Sequence, residues 1–309
     1  MPARPTRRRH ATHRAALLTA LLAVGCSAGS GTATSGGTGS TGGPGGEPPV
    51  RARVVLDAAK LELPLARYSL SWDEGQLLNR AEVRLVAECA ARFGVTYSRS
   101  SDPDADEAMP KTLTDRRYGV ANAEQAATAG FDLTPTKGID TTKATERSDT
   151  GPTTETVLSG DGRAHVGGRE VPEDGCNGEA RQRMARTAPP SEYQNLPLAL
   201  IDQGFTLSRQ DSRVRAALAS WSGCMRGRGF DYRDPLDAVA DPRFTDGTSP
   251  LEIRTATADV ACKRETNLVG IWFAVESAYE KRLVTDNLDR LEEVRRANTA
   301  RVAAARATG

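Results

Sequence analysis

Apolar residues recur at Leu78, Ala81, Leu85 and Cys89, three or four apart, which is the spacing of one helix face. Ser71-Trp72-Asp73-Glu74 just upstream is a capping-box pattern, and Gly94 stands where a helix-ending glycine belongs. A second helix is predicted from about Ser212 to Arg228, with Val214, Ala217, Leu218, Trp221 and Cys224 on its stripe and Gly229 at its end. In both helices the cysteine lies on the stripe, so its bond is expected to be buried against a partner element. Residues 100–156 are rich in Asp, Thr, Ser, Gly and Pro and read as a loop-rich insert. Within it only Asn122 to Ala129 looks helical, capped by Asn122 and ended by Gly130. Thr154 to Val171 alternates weakly around Gly160-Asp161-Gly162, which predicts a β-hairpin turning there.

The C-terminal part has a different texture. Ser249-Pro250-Leu251-Glu252 is another capping box, with proline at the first helical position. No proline follows in the remaining 59 residues, and Gly270 is the only glycine before Gly309. Apolar positions at Leu268, Trp272, Val275 and Tyr279, then Val284, Leu288 and Leu291, predict a helix of about 55 residues and roughly 80 Å. Gly270 is its natural breaking point. Charges fill the other faces, with Asp286/Arg290 and Glu292/Arg296 placed to pair at i,i+4. Past Leu291 the stripe thins to Val294, Val302 and alanines, so the last turns are expected to be weakly packed and solvated rather than a partner surface.

Charge changes the picture at the N-terminus. Arg4, Arg7, Arg8, Arg9 and Arg14 precede the apolar run AALLTALLAV, which has the form of a secretory signal. That run, Ala15 to Val24, is ten residues, too short to span a bilayer. Ala23-Val24-Gly25-Cys26 then resembles a bacterial lipobox, with Ala23 in place of the usual Leu, so Cys26 is the candidate lipidation site. Ordinary signal cleavage nearby, leaving Cys26 a free thiol, is the alternative. Residues 27–49 are almost wholly Gly, Ser, Thr, Ala and Pro, the composition of a flexible tether reaching roughly 25–30 Å. They lack the Gly-Lys-Ser/Thr of a phosphate loop. The whole chain balances 41 Lys+Arg against 40 Asp+Glu; losing residues 1–25, with five Arg and no acid, takes the net charge from +1 to −4. Nothing points to a nucleic-acid partner.

With Cys26 acylated, Cys89, Cys176, Cys224 and Cys262 remain, an even number that in an exported chain implies two disulfides with three connectivities. An internal repeat favours one of them. Cys89-x4-Gly94-Val95-x-Tyr97 matches Cys224-x4-Gly229-Phe230-x-Tyr232. Leu63-Pro64-Leu65-Ala66 and Leu196-Pro197-Leu198-Ala199 lie 26 and 28 residues before those cysteines. Downstream, Asp174-Gly175-Cys176 with Glu179 parallels Asp259 and Cys262 with Glu265. A tandem duplication follows, and the simplest pairing lies within each half: Cys89–Cys176 and Cys224–Cys262. A metal or redox site is disfavoured, because there is no Cys-x-x-Cys spacing and no nearby His.

Other candidate chemistry is thin. His10 and His13 fall in the segment expected to be removed, which leaves His165 beside the expected hairpin turn as the one candidate base. No Gly-x-Ser-x-Gly accompanies it. Asp102-Pro103-Asp104-Ala105-Asp106 copies the opening of a calcium loop, but Glu107 and Leu113 stand where Gly and Glu are required. Glu179 and Glu265 occupy matching positions and could flank a glycosidic bond, although pairing with Arg181 or Lys263 is the simpler role. Trp221, Trp272, Phe273 and Tyr279 read as core rather than pocket lining. No catalytic residue, metal site or cofactor is implied.

Together these landmarks resemble an uncharacterised family of exported proteins and lipoproteins of high-GC Actinobacteria, a family without an assigned activity. The likeness rests on Leu63-Pro64-Leu65, Arg117-Tyr118-Gly119-Val120, Val171-Pro172, Gly175-Cys176 and Glu179-Ala180. In the second half it rests on Trp221-Ser222, Cys224-Met225, Gly229-Phe230, Tyr232, Asp259 and Cys262-Lys263-Arg264-Glu265-Thr266. It covers residues 60–290 apart from the acidic and Thr-rich inserts, and it implies an extracytoplasmic setting. The fold expected is mainly α with a small β-hairpin: two duplicated helical halves, each braced by a disulfide, and a long C-terminal helix. The organisation is signal peptide 1–25, lipidated Cys26 and linker 26–49, first half 50–187 with insert 100–156, and second half 188–309. The function expected is binding at the outer face of the cytoplasmic membrane, with the membrane as one partner through the lipid and a protein or cell-wall component as another. A transporter solute-binding component or a cell-envelope hydrolase is the alternative; the first lacks the alternating strand and helix patterns of that class.

Overall fold

A computed structural model of the chain describes residues 46–56, 58–98, 112, 114, 116–132, 151–160, 165–244 and 248–307. Helix α1 (Trp72–Ala91) opens as its motif requires. The Ser71 hydroxyl accepts from the Glu74 amide at 3.3 Å, and the Glu74 carboxylate accepts from the Ser71 amide at 2.9 Å. Leu78, Ala81, Leu85 and Cys89 are all buried. Gly94, at φ +72°, turns the chain so that the Val95 amide reaches back to the Ala90 carbonyl. The insert contributes α2 (Ala123–Ala129), capped by the Asn122 side chain, and α3 (Pro152–Ser159). After the hairpin strands β1 (His165–Val166) and β2 (Arg169–Glu170) come α4 (Gly175–Thr187), α5 (Leu196–Gln210), α6 (Ser212–Gly227) and the short α7 (Pro235–Val239).

The two disulfides are Cys89–Cys176, joining α1 to α4, and Cys224–Cys262, joining α6 to α8 (Pro250–Thr266), with Cα separations of 5.5 and 5.7 Å. The repeat is visible around the first cysteine of each pair. Gly229 copies Gly94 with a φ of +88°, and the Phe230 amide bonds the Met225 carbonyl as Val95 bonds Ala90. The two Leu-Pro-Leu-Ala segments do not share a conformation: the first is a turn leading into a 3-10 helix at Ala66–Tyr68, the second is the first turn of α5. Leu65 is accordingly buried while Leu198 is exposed.

Five expectations are corrected. The C-terminal stretch is three helices, α8, α9 (Leu268–Asp286) and α10 (Leu288–Ala307), broken at Asn267 and Asn287. Asn267 is left-handed, a conformation asparagine tolerates, and its side chain bonds the Val55 amide and the Arg53 carbonyl. Gly270 lies inside α9, where a Cβ would collide with that same Arg53 carbonyl oxygen, so this glycine admits a crossing chain instead of breaking the helix. The hairpin turns at Gly167-Gly168, with His165 opposite Glu170, and the residues before Gly160 are helical.

The last turns of α10 are packed: Leu291, Val294, Asn298, Val302 and Ala305 are buried, with Ala305 against Leu78 and Ala81 of α1. Finally, the insert is more than loop. Thr114, Tyr118, Val120, Ala126 and Phe131 are buried, and α2 lies along α8. The halves are therefore interleaved within one compact unit, Gly42–Gly309. The end of the expected linker is also fixed: Glu47 accepts from the Ser212 amide and hydroxyl at 2.6 and 2.7 Å, Arg282 donates to the Gly46 carbonyl at 2.6 Å, and Pro48 is buried.

Candidate functional site

Helices α1, α4 and α10 meet along faces rich in small side chains, and their imperfect closure leaves a groove of about 400 Å³. Leu78, Ala81 and Leu85 of α1 form one wall, and Met184 of α4 with Ala188 and Pro190 beyond it forms another. Ala304 and Ala305 of α10 close the third side. Larger residues at Ala81 or Ala305 would fill the space; alanine there holds the helices close without plugging the groove. Arg181, Arg183 and Arg301 also line the groove, with Glu82 the one acidic residue among its lining. Arg183 is paired with Glu88 at 3.0 Å, while Arg301 donates to the neutral Asn298 amide oxygen at 3.3 Å. Among the described residues neither Arg181 nor Arg301 has a carboxylate partner.

A second concentration of charge lies deep in the interior. On α9, Glu276 accepts from Arg117 Nε at 2.6 Å and from the Tyr118 hydroxyl at 2.8 Å, and Arg117 also donates to the Ile201 carbonyl. Arg117 lies over the Phe205 ring, 4.6 Å from its centre. One turn on, Glu280 accepts from the Leu65 amide at 2.9 Å through one oxygen, while the other is buried without a hydrogen bond. Burial, reinforced by the charge of Glu276, pushes the Glu280 carboxyl up to about 7. Burial also raises Glu276 and, with Glu276 beside it, drives the Tyr118 hydroxyl well above its ordinary range. On α8, Lys263 donates to Asp259 and to the Val120 carbonyl, each at 2.7 Å, and Trp221 Nε1 donates to Asp259 at 3.0 Å. Desolvation pushes Asp259 up and Lys263 down. These groups do not line the groove; they tie the insert and the residues around Leu65 to the C-terminal helices.

The residues singled out in the sequence fall mainly outside the groove. Glu179 pairs with Arg92 and Glu265 with Arg228, each beside its own disulfide, so the expected partners Arg181 and Lys263 are replaced. Lys263 is taken by Asp259, and Arg181 faces the groove. An Arg–Glu pair thus accompanies each disulfide. Glu292 pairs with Arg295 rather than Arg296, and the helix break at Asn287 falls between Asp286 and Arg290. Trp221 and Trp272 are fully buried, and Phe273 and Tyr279 pack on the same core. His165 opens β1 at the surface. Cys224, Cys262 and Glu265 bring their donor atoms within 4.8 Å of one another, but both sulfurs are committed to the disulfide. Cys26 and the Asp102–Asp106 motif lie outside the described residues.

The groove and the buried carboxylates were missed from sequence. Glu276 and Glu280 did leave a trace, since they sit three or four positions from Trp272, Leu283 and each other on the buried stripe. No helix among the described residues is long and apolar enough to cross a membrane. Comparison with known proteins finds no matching family model, no matching curated protein and no matching solved structure.

Proposed function

We propose that the chain is an exported lipoprotein, anchored through Cys26 to the outer face of the cytoplasmic membrane, that acts by binding rather than by catalysis. It is proposed to belong with the actinobacterial exported proteins it resembles. The basic segment, apolar run and Ala23-Val24-Gly25-Cys26 support export and acylation. Two disulfides spanning helix pairs support an oxidising compartment. The observation that carries the binding reading is the groove between α1, α4 and α10, largely apolar and lined in part by three arginines. Against a glycosidase, Glu179 and Glu265 each engage an arginine beside a different disulfide. Cys26→Ala should abolish incorporation of labelled palmitate and move the protein from the membrane fraction to the soluble fraction. Undiminished labelling in that variant would refute the anchor.

A further inference from the structure

The groove has a chemistry that narrows its occupant. Its walls are aliphatic, and its volume of about 400 Å³ sits toward the low end of the roughly 300–1,000 Å³ range of small-molecule sites. That space suits one acyl chain better than the two of a phospholipid. The charged residues that line it are three arginines, Arg181, Arg183 and Arg301, and one acid, Glu82. Arg183 is already neutralised by Glu88, which leaves Arg181 on α4 and Arg301 on α10 without carboxylate partners among the described residues. Glu82 makes no ion pair with either. Guanidinium groups recognise planar oxyanions through paired hydrogen bonds, most strongly where neighbouring apolar surface lowers the local dielectric.

We infer that the groove binds a single-chain amphiphile with a carboxylate head, a long-chain fatty acid, its hydrocarbon lying along Leu78, Leu85 and Met184 and its carboxylate held by Arg181 and Arg301. This deepens the binding reading above and rests on it. The acyl chain removes apolar groove surface from water, while the two arginines gain a counter-ion that no described residue provides. A neutral ester keeps only the first contribution, and an alkylamine places a cation among cations.

The experiment uses the mature chain from Cys26 onward, oxidised and without acylation, titrated with cis-parinaric acid, whose fluorescence rises in apolar surroundings. Saturable one-to-one binding is expected, with the methyl ester markedly weaker and hexadecylamine failing to displace the probe. Arg181→Ala combined with Arg301→Ala should weaken parinarate at least about tenfold while changing the ester by less than about twofold. Ala304→Trp, at a half-buried position on the groove wall, should abolish binding of both, with circular dichroism and thermal unfolding confirming the fold. Absence of saturable binding, or binding that survives Ala304→Trp, overturns the assignment of the groove. Equal affinity for acid and ester, or an arginine pair whose removal changes nothing, overturns the assignment of the head group. The Cys26→Ala fractionation is read separately, so loss of the anchor reading leaves a positive titration standing, and a failed titration leaves the anchor untouched.

Discussion

Glu280 offers a direct test of how the interior is balanced. Its side chain is fully buried, one oxygen bonds the Leu65 amide, and the other has no partner. Burial raises its carboxyl from an ordinary 4.5 to about 7. Between those values the folded state holds a proton that the unfolded chain has released. Stability therefore falls as pH rises from about 4.5 to about 7 and levels off above that. A difference of about 2.5 pH units corresponds to about 3 kcal/mol. Glutamine is an isostere of the protonated acid and keeps an acceptor for the Leu65 amide. Glu280→Gln should be near neutral at pH 5 and more stable than the parent at pH 8 by about 2–3 kcal/mol, on the order of 5 °C in Tm.

Glu276 and Asp259 are raised by the same cause, so their contributions likewise fall as pH rises and add to the parent's decline. Asp211, Asp241 and Glu292 are lowered and lose their contribution only in acid, below about pH 4. Urea unfolding with disulfides intact, followed by circular dichroism at pH 5 and pH 8, measures both chains. A parent equally stable at the two pH values, or a Glu280→Gln chain that keeps the full decline, would refute the reasoning.

Removing Cys89–Cys176 by paired Ala substitutions should cost about 5 kcal/mol, and removing Cys224–Cys262 about 4 kcal/mol, from closed loops of 87 and 38 residues; peptide mapping without reductant checks the pairing, and chemical denaturation checks the cost. Tyr118→Phe deletes a buried bond to the Glu276 carboxyl, which also pairs with Arg117, and should lose about 2 kcal/mol in a urea titration. Glu179→Gln should change stability by less than about 1 kcal/mol, because its arginine partner is half exposed; a cell-wall zymogram cleared by the parent but not by this variant would restore the hydrolase reading. Deleting residues 114–132 should prevent folding, and a soluble, cooperatively melting deletion product would show that Tyr118 and Phe131 are dispensable.

Local rules read well where one residue decides an outcome. Ser71 and Ser249 start helices through both halves of the capping box, and Asn122 caps its short helix as its side chain allows. The cysteine pairing followed because the repeat carried it. What failed was inference about partners distant in sequence. The sparse stripe of α10 looked too thin to pack, but Val302 and Ala305 need only cover Leu78 and Ala81, and small residues do that best. The insert around Tyr118 and Phe131 read as loop because the surfaces that bury these residues belong mainly to α6, α8 and α9, far away in sequence. Thr154 to Ser159 alternates like a strand, yet Pro152 at a helix start outweighs so weak a pattern. The groove has no motif of its own, being composed from three helices up to 227 positions apart, from Leu78 to Ala305.

The docking of α10 on α1 also governs the order of events when the protein is made. A chain delivered from its N-terminus presents Leu78 and Ala81 long before Ala305 exists, so the first helix must wait through more than two hundred residues with its apolar face uncovered. Through that interval the Cys89 thiol can meet Cys176 and close its bridge, but the assembly around that bridge stays open on one side. Helix α10 is thus the closing step of the first half, and a chain in which it is incomplete leaves an oxidised intermediate with exposed apolar surface, the kind of species that aggregates or is degraded.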